Sequence, residues 1–194
     1  DRTLVEEYDG TSWTAGGAMS TGRGAYDMGC GTQTAAMTAG GFLPPNAANT
    51  NATEHYNGSS WTGSGNLTDS RRNHSGCGIQ TAAVTFAGDL GPSTTNQVQN
   101  YDGSSWTNVT TTPATTVQYM AFGTQTNSIY AGGSPPTTAT SFKYDGTSIS
   151  SGPAMATGRA GAANAGSGTA GIVASGMTTN PTTFTADTEE YNVS

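Results

Sequence analysis

The sequence predicts an all-β fold built from repeated four-stranded units. A phrase that starts with Tyr, Asp or Asn, and Gly recurs along the chain; it occupies residues 8–13, 56–61, 101–106 and 144–149, and a fifth copy starts at Tyr191. Successive tyrosines of the phrase are 48, 45, 43 and 47 residues apart. Periods of about 40 to 50 residues are typical of propellers and other repeat arrays. No segment shows helical periodicity, whereas short alternating runs are frequent.

The first unit shows where the four strands of each period are expected. Alternation predicts a strand over residues 4–8, and Asp9-Gly10 is a hairpin turn signal because both residues tolerate positive φ. The strand returns over residues 11–14, and a glycine-rich loop follows. Two further strands are predicted, at 24–31 and 34–39, with a turn near Thr32-Gln33. Counted from the strand that carries the repeated Tyr, the units cover approximately residues 4–52, 53–97, 98–140 and 141–186. Residues 187–194 either start another copy or close a ring.

Composition excludes several classes of function. The 6 Lys and Arg residues stand against 13 Asp and Glu, for a net charge of −7, so we expect neither nucleic acid nor an anionic membrane surface as a partner. No stretch approaches the roughly 18 apolar residues of a transmembrane helix. Hydrophobic residues make up 33% and charged residues 10%, and there are 28 glycines. In so regular a sequence this composition favours a β fold with small side chains between close layers over disorder.

Three further features recur along the units, although Ile149 replaces the Trp in the fourth. A glycine pair ends the fourth strand at residues 40–41 and 132–133, and is degraded to Gly-Asp at 88–89 and Ser-Gly at 175–176. A Tyr and a Trp then lie about six residues apart on the following hairpin. An arginine follows the Trp in three units, at Arg23, Arg71 and Arg159, whereas the other unit has Thr115-Thr116-Val117 in that region.

These features resemble the kelch repeat, which also builds the central domain of galactose oxidase. The resemblance spans nearly the whole chain and implies a kelch-type β-propeller of antiparallel, four-stranded blades. It implies that aromatic residues fill the wide outer part of each wedge between blades, and that Gly and Ala suit the narrow inner part. The aromatic residues concerned are Tyr8, Trp13, Tyr56, Trp61, Tyr101, Trp106 and Tyr144.

Three arrangements of the units remain open. The favoured one is a four-bladed ring sealed by pairing of the N-terminal strands with the C-terminal blade, because the two ends are complementary in phase. Such closure would remove open sheet edges. The chain would otherwise be half of a larger ring completed by a second copy, or, since it begins with Asp, a piece of a longer repeat protein.

Few residues suggest chemistry. Asp69, Arg71, Arg72 and His74 form the one candidate site for an anion or a sugar, with a solvated loop as the alternative, and His55 is expected on a strand surface. No catalytic set, metal-ligand spacing or cofactor motif is recognised. Cys30 and Cys77 occupy equivalent positions, where the other units have Phe122 and Ala165, which indicates packing rather than a disulfide.

The three recurring arginines have two interpretations. Arg23, Arg71 and Arg159 begin the strands expected nearest the axis. They either donate hydrogen bonds to carbonyls of a neighbouring blade, or they form a ring of positive charge at the mouth of the channel, where they would bind an acidic ligand. The least repetitive connections, residues 42–53, 90–97, 134–140 and 177–186, are the expected binding loops.

Gly-, Ser- and Thr-rich kelch-like arrays of this kind look like those encoded by marine bacteriophages and their hosts, often in virion or surface proteins. The resemblance implies a non-enzymatic structural or adhesive module of a virion tail or fibre, or of a cell surface. Its partners would be other copies, other virion or surface proteins, or a glycan. A lectin-like propeller is the alternative function, and an enzyme domain is a third.

Overall fold

The computed structural model describes residues 3–24, 27–44, 48–179 and 183–192. These residues form β-strands, turns and irregular segments, and no helix occurs in these ranges. Three sheets contain four strands each, and every strand pair is antiparallel. The all-β prediction is therefore confirmed.

The strands are numbered in chain order. An N-terminal hairpin consists of β1 (Glu6–Tyr8) and β2 (Trp13–Ala15). Sheet 1 contains β3 (Met28–Thr32), β4 (Ala35–Ala39), β7 (Thr53–Tyr56) and β8 (Trp61–Ser64), and its β4–β7 connection holds the small hairpin of β5 (Phe42–Leu43) and β6 (Ala48–Asn49). Sheet 2 contains β9 (Ser75–Ile79), β10 (Ala82–Asp89), β11 (Thr94–Tyr101) and β12 (Trp106–Thr111).

The remaining strands build two further sheets. Sheet 3 contains β13 (Val117–Thr124), β14 (Asn127–Ser134), β15 (Ser141–Tyr144) and β16 (Ile149–Ser151). Sheet 4 contains β17 (Ala163–Gly166), β18 (Ala170–Ala174) and β21 (Thr188–Asn192), and the β18–β21 connection holds the hairpin of β19 (Met177–Thr179) and β20 (Thr183–Phe184).

The sheets are offset from the sequence units by half a period. The Tyr-Trp phrase of one unit forms the last two strands of one sheet, and the rest of that unit forms the first two strands of the next sheet. The strand predicted over 24–31 begins later, at Met28, because Gly24 makes an isolated bridge to Phe42. Residues 25–26 of that prediction, 45–47 of the first variable connection, 180–182 of the last and 193–194 of the fifth copy lie outside the described residues.

The outer hairpins of sheets 1, 2 and 3 and the N-terminal hairpin are closed by the turn that the sequence predicts. The Asp102 carboxylate accepts the N–H groups of Ser104 and Ser105, each at 2.8 Å, and Gly103 has a φ of +97°. A side-chain oxygen that satisfies two backbone donors in this way stabilises a tight turn. The same bonds recur at Asp9, Asn57 and Asp145.

Three apolar clusters join consecutive sheets. Between sheets 1 and 2 the cluster contains Met37, Leu67, Tyr101 and Trp106. Between sheets 2 and 3 it is rich in aromatic rings, and the Phe86 and Tyr130 rings stack with centroids 4.5 Å apart. Between sheets 3 and 4 the cluster is smaller and includes Phe122 and Val173. The buried core is therefore concentrated around sheets 2 and 3.

Glutamines in the first hairpin turn of a sheet tie that sheet to the preceding one. Gln80 donates to the carbonyls of Ala36 and Tyr56 in sheet 1, at 2.6 and 2.5 Å. Gln125 donates from sheet 3 to the equivalent carbonyls in sheet 2, those of Ala83 and Tyr101. Each bond gives a backbone carbonyl of the preceding sheet a side-chain partner from the next sheet.

The first strands of the four sheets lie around one cavity. Strand β9 packs against β3 and β13, and β13 packs against β17. All four strands line a polar cavity of about 510 Å³, which Asp27 and His74 also border. Its wall is largely glycine and alanine, so backbone groups are exposed to its interior.

Candidate functional site

The three recurring arginines are buried clamps within their own sheets. Arg71 Nη1 donates to the carbonyls of Ala87 and Gln97, at 2.7 and 3.1 Å, and its guanidinium forms a bidentate pair with Asp69. Both accepting carbonyls belong to sheet 2, which Arg71 itself precedes in the chain. The expectation that the arginines donate to a neighbouring blade is therefore wrong. The guanidinium is fully buried, which matches the preference of this planar group for buried pairs.

The other two arginines repeat this arrangement. Arg23 donates to the carbonyls of Gly40 and Ala52 and pairs with Glu54. Arg159 donates to the carbonyls of Ser175 and Asp187 and pairs with Glu189. The remaining unit has Thr116 at the position of the arginine. In that sheet Thr138 Oγ1, and not Thr116, donates to the carbonyl of Gly132, at 3.4 Å. Arg23 and Arg159 thus pair with carboxylates on strands of their own sheets, whereas Arg71 pairs with Asp69 on the connection that precedes β9.

Glu189 remains ionised in this setting. Partial burial raises the pKa of the Glu189 carboxyl, but the N–H groups of Ala156 and Thr157 and the guanidinium of Arg159 outweigh it, and the pKa lies below its usual value. The carboxylate therefore links β21 to the segment that precedes β17.

The candidate cluster of Asp69, Arg71, Arg72 and His74 is divided by the fold. Asp69 and Arg71 bind one another. Arg72 points elsewhere, pairs with Asp89 at 2.9 Å and lies over the Phe42 ring at 5.2 Å. The described contacts of both guanidinium groups are therefore made within the protein, and the four side chains do not converge on one open site.

His74 is a buried, neutral histidine. Its Nδ1 lies 2.6 Å from Thr85 Oγ1, and that hydroxyl donates to the carbonyl of Ser75, so the imidazole is the donor in the first bond. Nε2 is buried without a hydrogen-bond partner. Burial, together with the positive charge of Arg71, lowers the pKa of His74 to about 3.

His55 is less exposed than the sequence suggests. It packs edge-on against the Tyr101 ring of sheet 2, with centroids 5.5 Å apart. Desolvation by burial lowers its pKa. The position is therefore part of the contact between sheets 1 and 2, and not a free strand surface.

Both cysteines are free thiols that border the central cavity, as expected for packing residues. Burial raises the pKa of each to about 12, so they are protonated and poor nucleophiles at neutral pH. Among the residues that the structure describes, no three His, Cys, Asp or Glu side chains are grouped so that they could hold a metal ion.

The repeat aromatics differ sharply in burial along the chain. Tyr56, Tyr101, Trp106 and Tyr144 are buried. In the N-terminal hairpin, Tyr8 is 49% and Trp13 is 66% exposed, although their rings keep the usual pairing with centroids 5.1 Å apart. Leu4, on the same segment, is also exposed. The N-terminal segment therefore exposes three large apolar side chains, and two of them, Tyr8 and Trp13, lie side by side.

A second surface feature lies between sheets 3 and 4, where a pocket of about 210 Å³ opens beside β21. Phe122, Met155, Val173 and Tyr191 supply its apolar wall, and Ser141 contributes a hydroxyl. Sequence reasoning missed this pocket. The signal that could have found it is the alignment of the units, which places Ser141 and Met155 at positions held elsewhere by Thr53 and Leu67.

Three of the variable connections contain β-strands where the sequence predicts loops. Two of them hold the small hairpins β5–β6 and β19–β20, and residues 94–97 belong to β11. None of the described residues belongs to a helix long and apolar enough to cross a membrane. In comparisons with known proteins, no family model and no curated protein sequence matches the chain.

Proposed function

We propose that the chain is a kelch-type β-propeller module with a structural or adhesive function, carried on a virion or a cell surface. In this proposal the four sheets are blades and the 510 Å³ cavity is the central channel. The arrangement of β3, β9, β13 and β17 around one cavity supports the blade assignment, since innermost strands surround the axis of a propeller.

The observation that carries the functional proposal is the exposed apolar surface of the N-terminal hairpin. Leu4, Tyr8 and Trp13 are exposed at 76%, 49% and 66%, and the rings of Tyr8 and Trp13 lie side by side. Contiguous exposed apolar patches on soluble proteins mark contact sites for other macromolecules.

A binding assay with whole bacterial cells tests the adhesive role. Fluorescently labelled chain is titrated onto intact cells of several species at a concentration at which it is monomeric. Saturable binding that falls at least tenfold in Trp13→Ala, with Phe184→Ala as the exposed aromatic control, is the expected result. If no cell binds the chain and the chain does not bind its own copies, the proposal is overturned.

Carbohydrate binding is the second candidate function. The Tyr8 and Trp13 rings are exposed neighbours at an angle of 35°, and exposed aromatic faces stack on sugar rings. Mild periodate oxidation of the cells destroys vicinal diols and distinguishes the two ligands. Binding that is lost after periodate favours a glycan, whereas binding that persists favours a protein surface.

A further inference from the structure

The pocket between sheets 3 and 4 has a filled counterpart between sheets 1 and 2. There, the indole of Trp106 is only 5% exposed, and its Nε1 donates to Thr53 Oγ1 at 3.0 Å. Leu67 belongs to the same apolar cluster. The counterpart is therefore an indole site with an apolar wall and one hydroxyl acceptor.

The repeat register places equivalent residues around the empty pocket. Thr53 lies three residues before Tyr56, and Ser141 lies three residues before Tyr144. The backbone confirms the alignment, because Met155 N–H donates to the carbonyl of Ala139 as Leu67 N–H donates to that of Asn51. Ser141 Oγ donates to the carbonyl of Pro153 at 2.6 Å, which leaves its lone pairs free to accept an indole N–H.

The pocket is empty because sheet 4, as described, has no strand beside the outer edge of β21. In sheet 2 that place is taken by β12, which supplies Trp106. Two other described strands carry a Trp at this position. Strand β8 already belongs to sheet 1 and its Trp61 is partly buried, whereas Trp13 of β2 is exposed. Tyr8 and Trp13 pair in nearly the same geometry as Tyr101 and Trp106, with centroids 5.1 and 4.9 Å apart.

The hairpin that carries Trp13 is held on sheet 1 of its own molecule. Tyr56 Oη donates to the Glu7 carboxylate, and Gln33 donates to its other oxygen at 3.2 Å. Gly17 N–H donates to Tyr56 Oη at 3.3 Å. Since these contacts fix the hairpin while Trp13 stays exposed, a second molecule can reach the indole without breaking them.

We propose that the N-terminal hairpin of a second copy docks at the outer edge of β21 and inserts Trp13 into the pocket between sheets 3 and 4. The indole Nε1 donates to Ser141 Oγ, and the ring packs on Met155 and Tyr191. Each molecule carries both the hairpin and the pocket, so the contact is head-to-tail and closes into a ring or continues as a filament. This inference deepens the proposed structural role, on which it rests, by naming the partner and the surface.

Light scattering after size exclusion tests the docking. The measurement is made in 0.5 M NaCl, because Glu6 and Glu190 carry like charges and screening reduces their repulsion. The mass of the unaltered chain is expected to rise with concentration. Trp13→Ala, and Ala154→Trp at the rim of the pocket, are expected to stay monomeric, whereas Phe184→Ala associates normally. Association that persists in the first two variants, or a monomer throughout, overturns the proposal.

Chemical cross-linking identifies the source of the hairpin. Cys30→Ala and Cys77→Ala remove the native thiols, since the fourth unit has Ala165 at their position. One preparation then carries Trp13→Cys and the other carries Ser141→Cys. Because the indole lies between these two positions, they are too far apart for a direct disulfide, and a bismaleimide with a short spacer is used to join the two thiols. The mixture is expected to give a heterodimer on a denaturing gel, and Phe184→Cys in place of Trp13→Cys is expected to give none.

Two outcomes of the cross-linking overturn the second-copy assignment. One is a failure of the mixture to cross-link. The other is a monomeric, concentration-independent cross-link in a chain that carries both substitutions, which would assign the pocket to the molecule's own hairpin. Cell binding by the monomer is measured separately, so failure of the docking and failure of the adhesive role are distinguishable.

Discussion

Arg71 and Arg72 are neighbours in the chain with opposite environments. Arg71 is fully buried and holds two carbonyls and a carboxylate, whereas the Arg72–Asp89 pair is partly exposed, at 31% and 19%. Removing one partner of a buried pair leaves an uncompensated charge and unsatisfied acceptors. Exposed pairs contribute little, because water screens them.

We expect Arg71→Ala to lower the free energy of unfolding by about 3 to 5 kcal/mol, and Arg72→Ala by under about 1 kcal/mol. Urea denaturation at pH 7, followed by tryptophan fluorescence, measures both. The neighbouring substitution serves as the matched control, because it removes the same side chain one residue away. Equal losses in the two variants would contradict the clamp.

His74 gives the protein an acid sensitivity that can be isolated. The pKa of its imidazole is about 3 in the folded chain, against an ordinary value of 6.5. Between these values the unfolded chain binds a proton that the folded chain does not, so stability falls as the pH is lowered through this window. The slope from this group is at most about 1.4 kcal/mol per pH unit.

His74→Asn removes the titration while it keeps a donor near Thr85 Oγ1. We expect the variant to be less stable than the unaltered chain at pH 7, and the difference between them to shrink from pH 6 to pH 4. Urea denaturation at each pH gives the two curves, and the carboxylates that both chains share cancel in the difference. Parallel curves would show that His74 is not buried as a neutral group.

At the scale of the strands, the same aromatic position contributes unequally to the free energy of unfolding in different parts of the fold. Trp106 seals the contact between sheets 1 and 2, whereas Trp13 is mostly exposed in the monomer. We expect Trp106→Ala to lower the free energy of unfolding by about 3 to 5 kcal/mol. Trp13→Ala should change it by no more than about 0.5 kcal/mol when measured on the monomer. Denaturant titrations below the association range compare them.

The sequence was sufficient to predict the strands and turns that depend on local signals. The Asp-Gly and Asn-Gly turns, the four strands per period and the packing role of Cys77 were all predicted from short patterns. The half-period offset between units and sheets was missed, because the last strands of one unit pair with the first strands of the following unit, across the boundary that the repeated phrase defines. Trp13 and Trp106 have nearly the same local sequence, so only the tertiary structure distinguishes their burial.

In the candidate site, too, local sequence identifies residues but does not predict which of them come together. Asp69, Arg71, Arg72 and His74 are close in sequence and were grouped as one candidate site for an anion or a sugar, but their side chains do not converge: Asp69 pairs with Arg71, while Arg72 and His74 make separate contacts. Sequence spacing does not say which way successive side chains point at the entrance to a strand. The pocket beside β21 depends on the absence of a neighbouring strand, which no single motif encodes.

At the scale of the whole molecule, stability is expected to be uneven. Strands β10 and β14 are almost wholly buried, whereas every residue of β17 is exposed and the N-terminal hairpin is exposed throughout much of its length. Amide hydrogen exchange should therefore be slowest in sheets 2 and 3 and fastest in β17 and in β1–β2. Mass spectrometry of peptic peptides measures this order. Equal protection of β17 and β14 would contradict it.

The glutamine bonds between sheets have a consequence for how such a chain can change over generations. Gln80 and Gln125 each donate to carbonyls of the preceding sheet, so the repeat that follows carries the residue that bonds it to the repeat before. A tandem duplication in the gene would copy the glutamine together with the strands that its hydrogen bonds join. The chain could thereby lengthen or shorten by whole periods without any compensating substitution at the new junction.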